Sequence, residues 1–196
     1  AAGLGATADA AKYETGGVIS GGGSFVLNAG TCAGTACTGV NELLLGNGST
    51  DTITVLDLTV QGQNATTASA AATTITQNAS APVVASGSIL IKSGNGGTRD
   101  AGDANTTTAT MNGKLTATTA VSFIAGNGGE TSGTDAGGDG GVLSVADIAA
   151  GVDSPTVTVQ GGNGGNGSIT NLDGGAGGQV TLVDVSATVW DNVTSW

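Results

Sequence analysis

The chain has no histidine among its 196 residues. That removes Ser-His-Asp and Cys-His nucleophile systems and every His-based metal site. Cations are almost as scarce: Lys12, Lys92, Arg99 and Lys114 stand against 15 acidic residues, for a net charge of −11. Nucleic-acid binding through phosphate neutralisation needs a basic patch, and so does docking to an anionic membrane; four scattered cations build neither. Aromatics are 3% of the chain, so few large anchors are available for a thick core. No apolar run reaches the roughly 18 residues that span a bilayer. No signal peptide is visible, and the start AAGLGATADAAKYE, without Met, fits a secreted form after cleavage. A paired-carboxylate glycosidase needs two acids across one bond, whereas Glu14, Glu42 and Glu130 lie in unrelated contexts. No catalysis is expected.

What the chain has is glycine (37 residues), with Ser and Thr supplying another 45. Charged residues are only 10% and mean hydropathy is slightly positive, which argues against disorder and for a thin, ordered β body. The stretch QGGNGGNGS (160–168) has shorter relatives, GNGG at 94–97 and 126–129 and QGQN at 61–64, each following a short apolar run. The GNGG starts are 32 and then 36 residues apart, a period that suggests a solenoid.

One strand class precedes each glycine stretch, at 58–61, 88–93, 121–125 and 155–160. A second class is expected after it, at 73–79, 113–120, 141–149 and 178–187. A unit of two or more strands is marginal alone but gains partners if stacked at about 4.8 Å. The glycines are expected at corners, reversing the chain with positive φ. The fold read from these features is an all-β, Gly-rich β-solenoid (β-helix) of irregular 32–36-residue units. The alternative is an antiparallel β-sandwich or jelly roll. Residues 1–16 read as an N-terminal arm or cap, and 17–196 as a single β-rich repeat domain ending in a Trp-containing cap.

Several residues are candidates for chemistry or contact. Cys32 and Cys37, close together with glycine between them, suggest a local disulfide and an oxidising location; two reduced, buried residues are the alternative. Asp100, Asp103, Asp135, Asp139 and Asp173 punctuate the Gly-rich loops, a pattern compatible with oxygen ligation of Ca2+ or with solvated turns. No other cofactor is expected, since a phosphate cradle would need a Lys-Ser/Thr ending and a helix that the GNGG segments lack. Asn47, Asn64, Asn78, Asn105, Asn166 and Asn192 open Asn-x-Ser/Thr sequons where glycans could attach. Tyr13, Trp190 and Trp196 are candidates for subunit contact, the tryptophans alternatively covering the last rung. Thr-x-Thr pairs at 52–54, 74–76, 108–110, 116–118 and 156–158 fit ordinary β propensity better than a flat ice-binding ladder.

The strand and glycine-turn phrases GGVISGGGSFVLNAG, TVQGQNATTASAAATTITQNAS and TVQGGNGGNGS resemble β-solenoid regions of secreted bacterial surface adhesins and fibre proteins; TITQNAS and QGGNGGN also resemble curli-like functional amyloid repeats. The likeness is one of style over about residues 17–190 and carries no site residue with it. It implies an extracellular, cell-surface structural subunit of the adhesion or biofilm-matrix type. Such a subunit self-assembles as a homopolymer into a filament or layer, without nucleic acid or membrane insertion. The alternative is a monomeric adhesion or carbohydrate-binding module, in contact with a cell-surface glycan and stabilised by calcium.

Overall fold

The computed structural model describes residues 12–32, 40–46, 48, 50–66, 70–78, 81–97, 104, 106–131, 136–146, 148, 151–167, 173–183 and 193–195. Within them the chain is all strand and loop, with no helix and so none long and apolar enough to cross a membrane. The first turn consists of β1 (Lys12–Thr15), β2 (Val18–Ser20), β3 (Phe25–Asn28) and a two-residue β4 (Thr31–Cys32). The second repeats it as β5 (Val40–Leu45), β6 (Thr52–Val55), β7 (Leu58–Gln61) and β8 (Asn64–Ala65). The third is β9 (Ala72–Gln77), β10 (Val83–Ala85) and β11 (Ser88–Lys92), and the fourth β12 (Thr106–Met111), β13 (Leu115–Ala117) and β14 (Ala120–Ile124). The fifth is β15 (Val142–Ala146), β16 (Val152–Asp153) and β17 (Val157–Gln160); β18 (Gln179–Val183) and β19 (Val193–Ser195) belong to a sixth.

Equivalent strands pair in parallel, giving three long sheets in the orders β1-β5-β9-β12-β15-β18, β2-β6-β10-β13-β16 and β3-β7-β11-β14-β17-β19. This is a parallel β-solenoid, and the antiparallel sandwich is excluded because every strand pair is parallel. Register offsets run from 30 residues (Lys12↔Glu42) to 37 (Val142↔Gln179). The 32- and 36-residue spacings of the GNGG copies are the third-sheet offsets Ile89↔Val121 and Val121↔Val157.

Alternation puts one apolar column per strand position into the interior. Leu58, Ile89, Val121 and Val157 stack in one, and Val60, Ile91 and Phe123 in the next. Ile53, Val83, Leu115 and Val152 form the second sheet's column; Leu43, Ile75, Ala109 and Val145 form the first's. All belong to a single core cluster. In the fourth turn the apolar inward positions are Ala109 and Met111 of the first sheet, Leu115 and Ala117 of the second, and Val121 and Phe123 of the third.

Two expectations are corrected, and the end of the expected N-terminal arm or cap is located. The stretch 113–120 is not the strand after the glycine segment. Its Leu115–Ala117 belongs to the second sheet, and the first-sheet strand of that turn is Thr106–Met111, whose run of threonines hides an alternation of exposed and buried positions. Residues 12–15 of the expected arm join the first sheet as its terminal strand, in register with Glu42–Leu45. Positive φ occurs among the described glycines at Gly17, Gly30, Gly46 and Gly151, none of them in a GNGG copy.

Because Phe123 is fully buried, in register with Ile91 and Val159, Phe123→Ala leaves a void in the core. A loss of about 3–5 kcal/mol is expected, read as a lower urea midpoint while far-UV circular dichroism below the transition remains β-type.

Candidate functional site

The corners show how side chains hold the turns in register. Asp51 lies between β5 and β6 and is 4% exposed. Its Oδ1 accepts from the Gly17 N–H of the preceding turn at 2.7 Å, and its Oδ2 from the Gly48 N–H at 2.8 Å. Nearby Gly46, at φ 72°, approaches the next turn so closely that a Cβ would lie 2.4 Å from that of Ala81. Asp57, at the bend between β6 and β7, bridges three turns. Its Oδ2 accepts from the Ser24 hydroxyl (3.1 Å) and its Oδ1 from the Ser88 N–H (2.8 Å). Asp51 carries no signal in the sequence, whereas the Leu56–Asp57–Leu58 step reads as a bend or strand change, and the bend between β6 and β7 lies there.

The third corner carries the glycine segments, and these lengthen along the chain: 10 residues (62–71), 13 (93–105), 17 (125–141) and 18 (161–178). In the two longest, an outgoing leg runs beside a returning leg. Gly141 N–H donates to Gly126 C=O (2.7 Å) and Gly138 to Gly129 (3.0 Å); one turn on, Gly178 donates to Gly162 (2.7 Å) and Gly175 to Gly165 (2.9 Å). Like legs also bond between turns. Ala65 donates to Asn95, Gly96 to Asn127, Gly128 to Asn163 and Thr131 to Asn166 on the outgoing side, at 2.8–3.2 Å. On the returning side Ala104 donates to Asp139, Gly137 to Asp173 and Gly140 to Ala176, at 2.8–2.9 Å.

Partners recur every third residue, the period of a polyproline-II backbone. The legs therefore form a second lattice beside the sheets, made almost entirely of main chain. Its packing leaves no room for side chains: a Cβ on Gly126 would sit 2.0 Å from the Gly94 carbonyl oxygen, and one on Gly162 1.9 Å from that of Gly126. An asparagine ladder runs along it. The Asn95 N–H donates to Asn64 Oδ1 (2.9 Å), Asn127 to Asn95 Oδ1 (3.0 Å) and Asn163 to Asn127 Oδ1 (2.9 Å). Each asparagine caps the amide its successor presents, which explains the N in GNGG.

At the base of the legs the interior turns polar. Asn41, Thr73 and Thr107 form a buried inward column. The Gln63 N–H donates to Thr73 Oγ1 (3.1 Å), and Gln63 Oε1 accepts from Ala71 (3.2 Å). Among the described residues the inward Asn41 Oδ1 and Gln77 Oε1 have no hydrogen-bond partner.

Of the acids considered for calcium, Asp139 and Asp173 are described, both exposed on returning legs. Asp139 Oδ1 accepts from the Ala176 N–H (2.7 Å), and no group of three potential metal ligands occurs among the described residues. Asp100, Asp103 and Asp135 lie outside the described residues. Cys32 is fully buried in β4; Cys37 lies outside, as do Asn47, Asn105, Asn192, Trp190 and Trp196. Asn64 is committed to the ladder, and Asn166 Nδ2 donates to Glu130 Oε1 (3.0 Å) across two turns. Asn78, partly buried, accepts through its carbonyl from the Ala81 N–H at the first corner. Tyr13 lies in the terminal strand β1, opposite Leu43. The Thr-x-Thr pairs are divided among three sheets, with only 74–76 and 108–110 in register. The chain matches no family model, no curated protein and no solved structure.

Two substitutions separate the roles of glycine in this lattice. Gly162→Ala forces a Cβ into a carbonyl and is expected to cost about 1–3 kcal/mol. In Gly174→Ala the Cβ meets only Gly165 C=O at 3.4 Å, so the melting temperature should stay near that of the parent. At the first corner, Asp51→Ala strands two amides and is expected to lose about 2–4 kcal/mol, measured by chemical denaturation.

Proposed function

We propose that the chain is an extracellular structural subunit that self-assembles by stacking of its solenoid ends, without catalysis. The observation that carries this reading is the one-sided pairing of the end strands. Among the described residues β1, β2 and β3 bond only to the turn after them, and β18 and β19 only to the turn before. An unprotected strand edge offers its amides and carbonyls to another chain, and lysines that would block it are few. The interior supports the same role, being filled by apolar ladders and structural polar contacts.

A disulfide between Cys32 and Cys37 belongs to this reading. Cys32 is fully buried. The ring would pin the loop of the first turn and place the protein in an oxidising compartment.

Negative-stain electron microscopy of the purified chain tests the proposal. Regular filaments are expected, with a fibre-diffraction repeat of about 4.7–4.8 Å along the filament axis. Dispersed monomers at high protein concentration overturn it. Deleting residues 1–16 discriminates the mode: end-to-end stacking survives the loss of β1, whereas exchange of an N-terminal strand into a neighbour's sheet does not.

A further inference from the structure

We infer that the outermost glycine layer, formed by the legs 161–167 and 173–178, is a docking strip for an extended Gly-Gly-Asn-type polypeptide. From the second turn to the fifth, backbone bonds between like legs run in one direction, from an N–H of one turn to a carbonyl of the next. With the 36-residue offset of Val121↔Val157, the donors Gly128 and Thr131 correspond to Gly164 and Gly167. With the 37-residue offset of Val142↔Gln179, the donors Gly137 and Gly140 correspond to Gly174 and Gly177. In the fifth turn these four amides have no partner among the described residues. Gly174 and Gly177 are exposed, and Gly164 and Gly167 partly so.

The acceptors of the strip follow the same logic. Asn127 Oδ1 takes the Asn163 N–H, and Gly138 C=O takes the Gly165 N–H. Their counterparts one turn on, Asn163 Oδ1 and Gly175 C=O, take no amide among the described residues. The strip thus offers four donors at three-residue spacing along two legs, with two acceptors between them.

What fits is set by the interfaces already present in the lattice. Amides donated to the next turn go from an outgoing leg to an outgoing leg and from a returning leg to a returning leg. An occupant strand must therefore be extended with a three-residue period, must present carbonyls to the two amides of the leg it lies on, and must lack Cβ atoms where legs touch. Equivalent contacts inside the lattice leave 1.9 Å for a Cβ at Gly162 and at Gly165. A folded protein surface with side chains at those positions cannot approach, and neither can a β-strand of alternating large residues. The chain's own leg sequence QGGNGGNGS meets these requirements, one copy lying on each leg. Self-assembly is one source of such a leg, but the docking stands whether or not filaments form.

The test uses the full chain, isotopically labelled, titrated with the synthetic peptide QGGNGGNGS and observed by amide NMR. Saturable shifts are expected at Gly164, Gly167, Gly174 and Gly177, and not on the three sheets. Gly177→Pro removes one donor while its fixed φ suits an extended leg, and should weaken binding about tenfold. Gly177→Ala, whose Cβ would meet only Gly162 C=O at 3.6 Å, keeps the N–H and should bind as the parent does. The peptide QAANAANAS should not bind. Equal binding of the alanine peptide overturns the inference, as do shifts located elsewhere or no shift at millimolar peptide. Strong hydrogen-exchange protection of the four amides in the free monomer also overturns it, since residues 184–192 or another part of the chain would then hold the strip.

Discussion

Backbone amides in this protein find their partners one whole turn away, 30 to 37 residues along the chain, and every other feature depends on those bonds staying in register. Parallel pairing across so long a separation is entropically costly to begin. Once one turn is placed, the next gains a full set of hydrogen bonds and an apolar column. That explains how small residues suffice. No turn carries a core of its own, and Val, Ala, Leu and Ile are buried because the same position is buried above and below.

Register is also where the aspartates matter. A strand slipped by one residue would turn its inward column outward. Asp51 and Asp57 tie specific amides and hydroxyls of adjacent turns to one another, so a slipped turn would leave a carboxylate without its partners. The glycine legs can then lengthen from 10 to 18 residues without disturbing the sheets, because the corners on either side fix where each strand starts.

The sequence made the solenoid legible through apolar parity and the recurrence of GNGG. In the second sheet Val18–Ser20 and the alternation of Ile53 and Val55 read as strands, but β10, β13 and β16 are only two or three residues long, too short for alternation to be seen. The sequence also hid β12, because TTTATM carries three threonines in a row, and only the structure shows Thr107 sharing the inward side with Ala109 and Met111. The glycines were expected to supply turns. Their actual role, close approach of main chain to main chain, depends on neighbours 32 or 36 residues distant and leaves no local trace. The asparagine of GNGG was visible, but its ladder required the register to be known.

Two lattices share one stacking axis, and they differ in polarity. A parallel strand offers both N–H and C=O along each edge, so a sheet can be extended from either end by the same chemistry. Like glycine legs donate toward the next turn and accept from the previous one. Turning two copies so that their fifth-turn legs meet would set Gly174 and Gly177 amides against amides. The legs therefore oppose the two-fold arrangement that isologous dimers use and favour a heterologous, head-to-tail one. The first turn differs again, with β4 paired to β8 as a short strand in place of a glycine leg. The direction built into the glycine lattice thus makes the two ends of the solenoid chemically distinct, even though each long sheet ends in the same kind of edge.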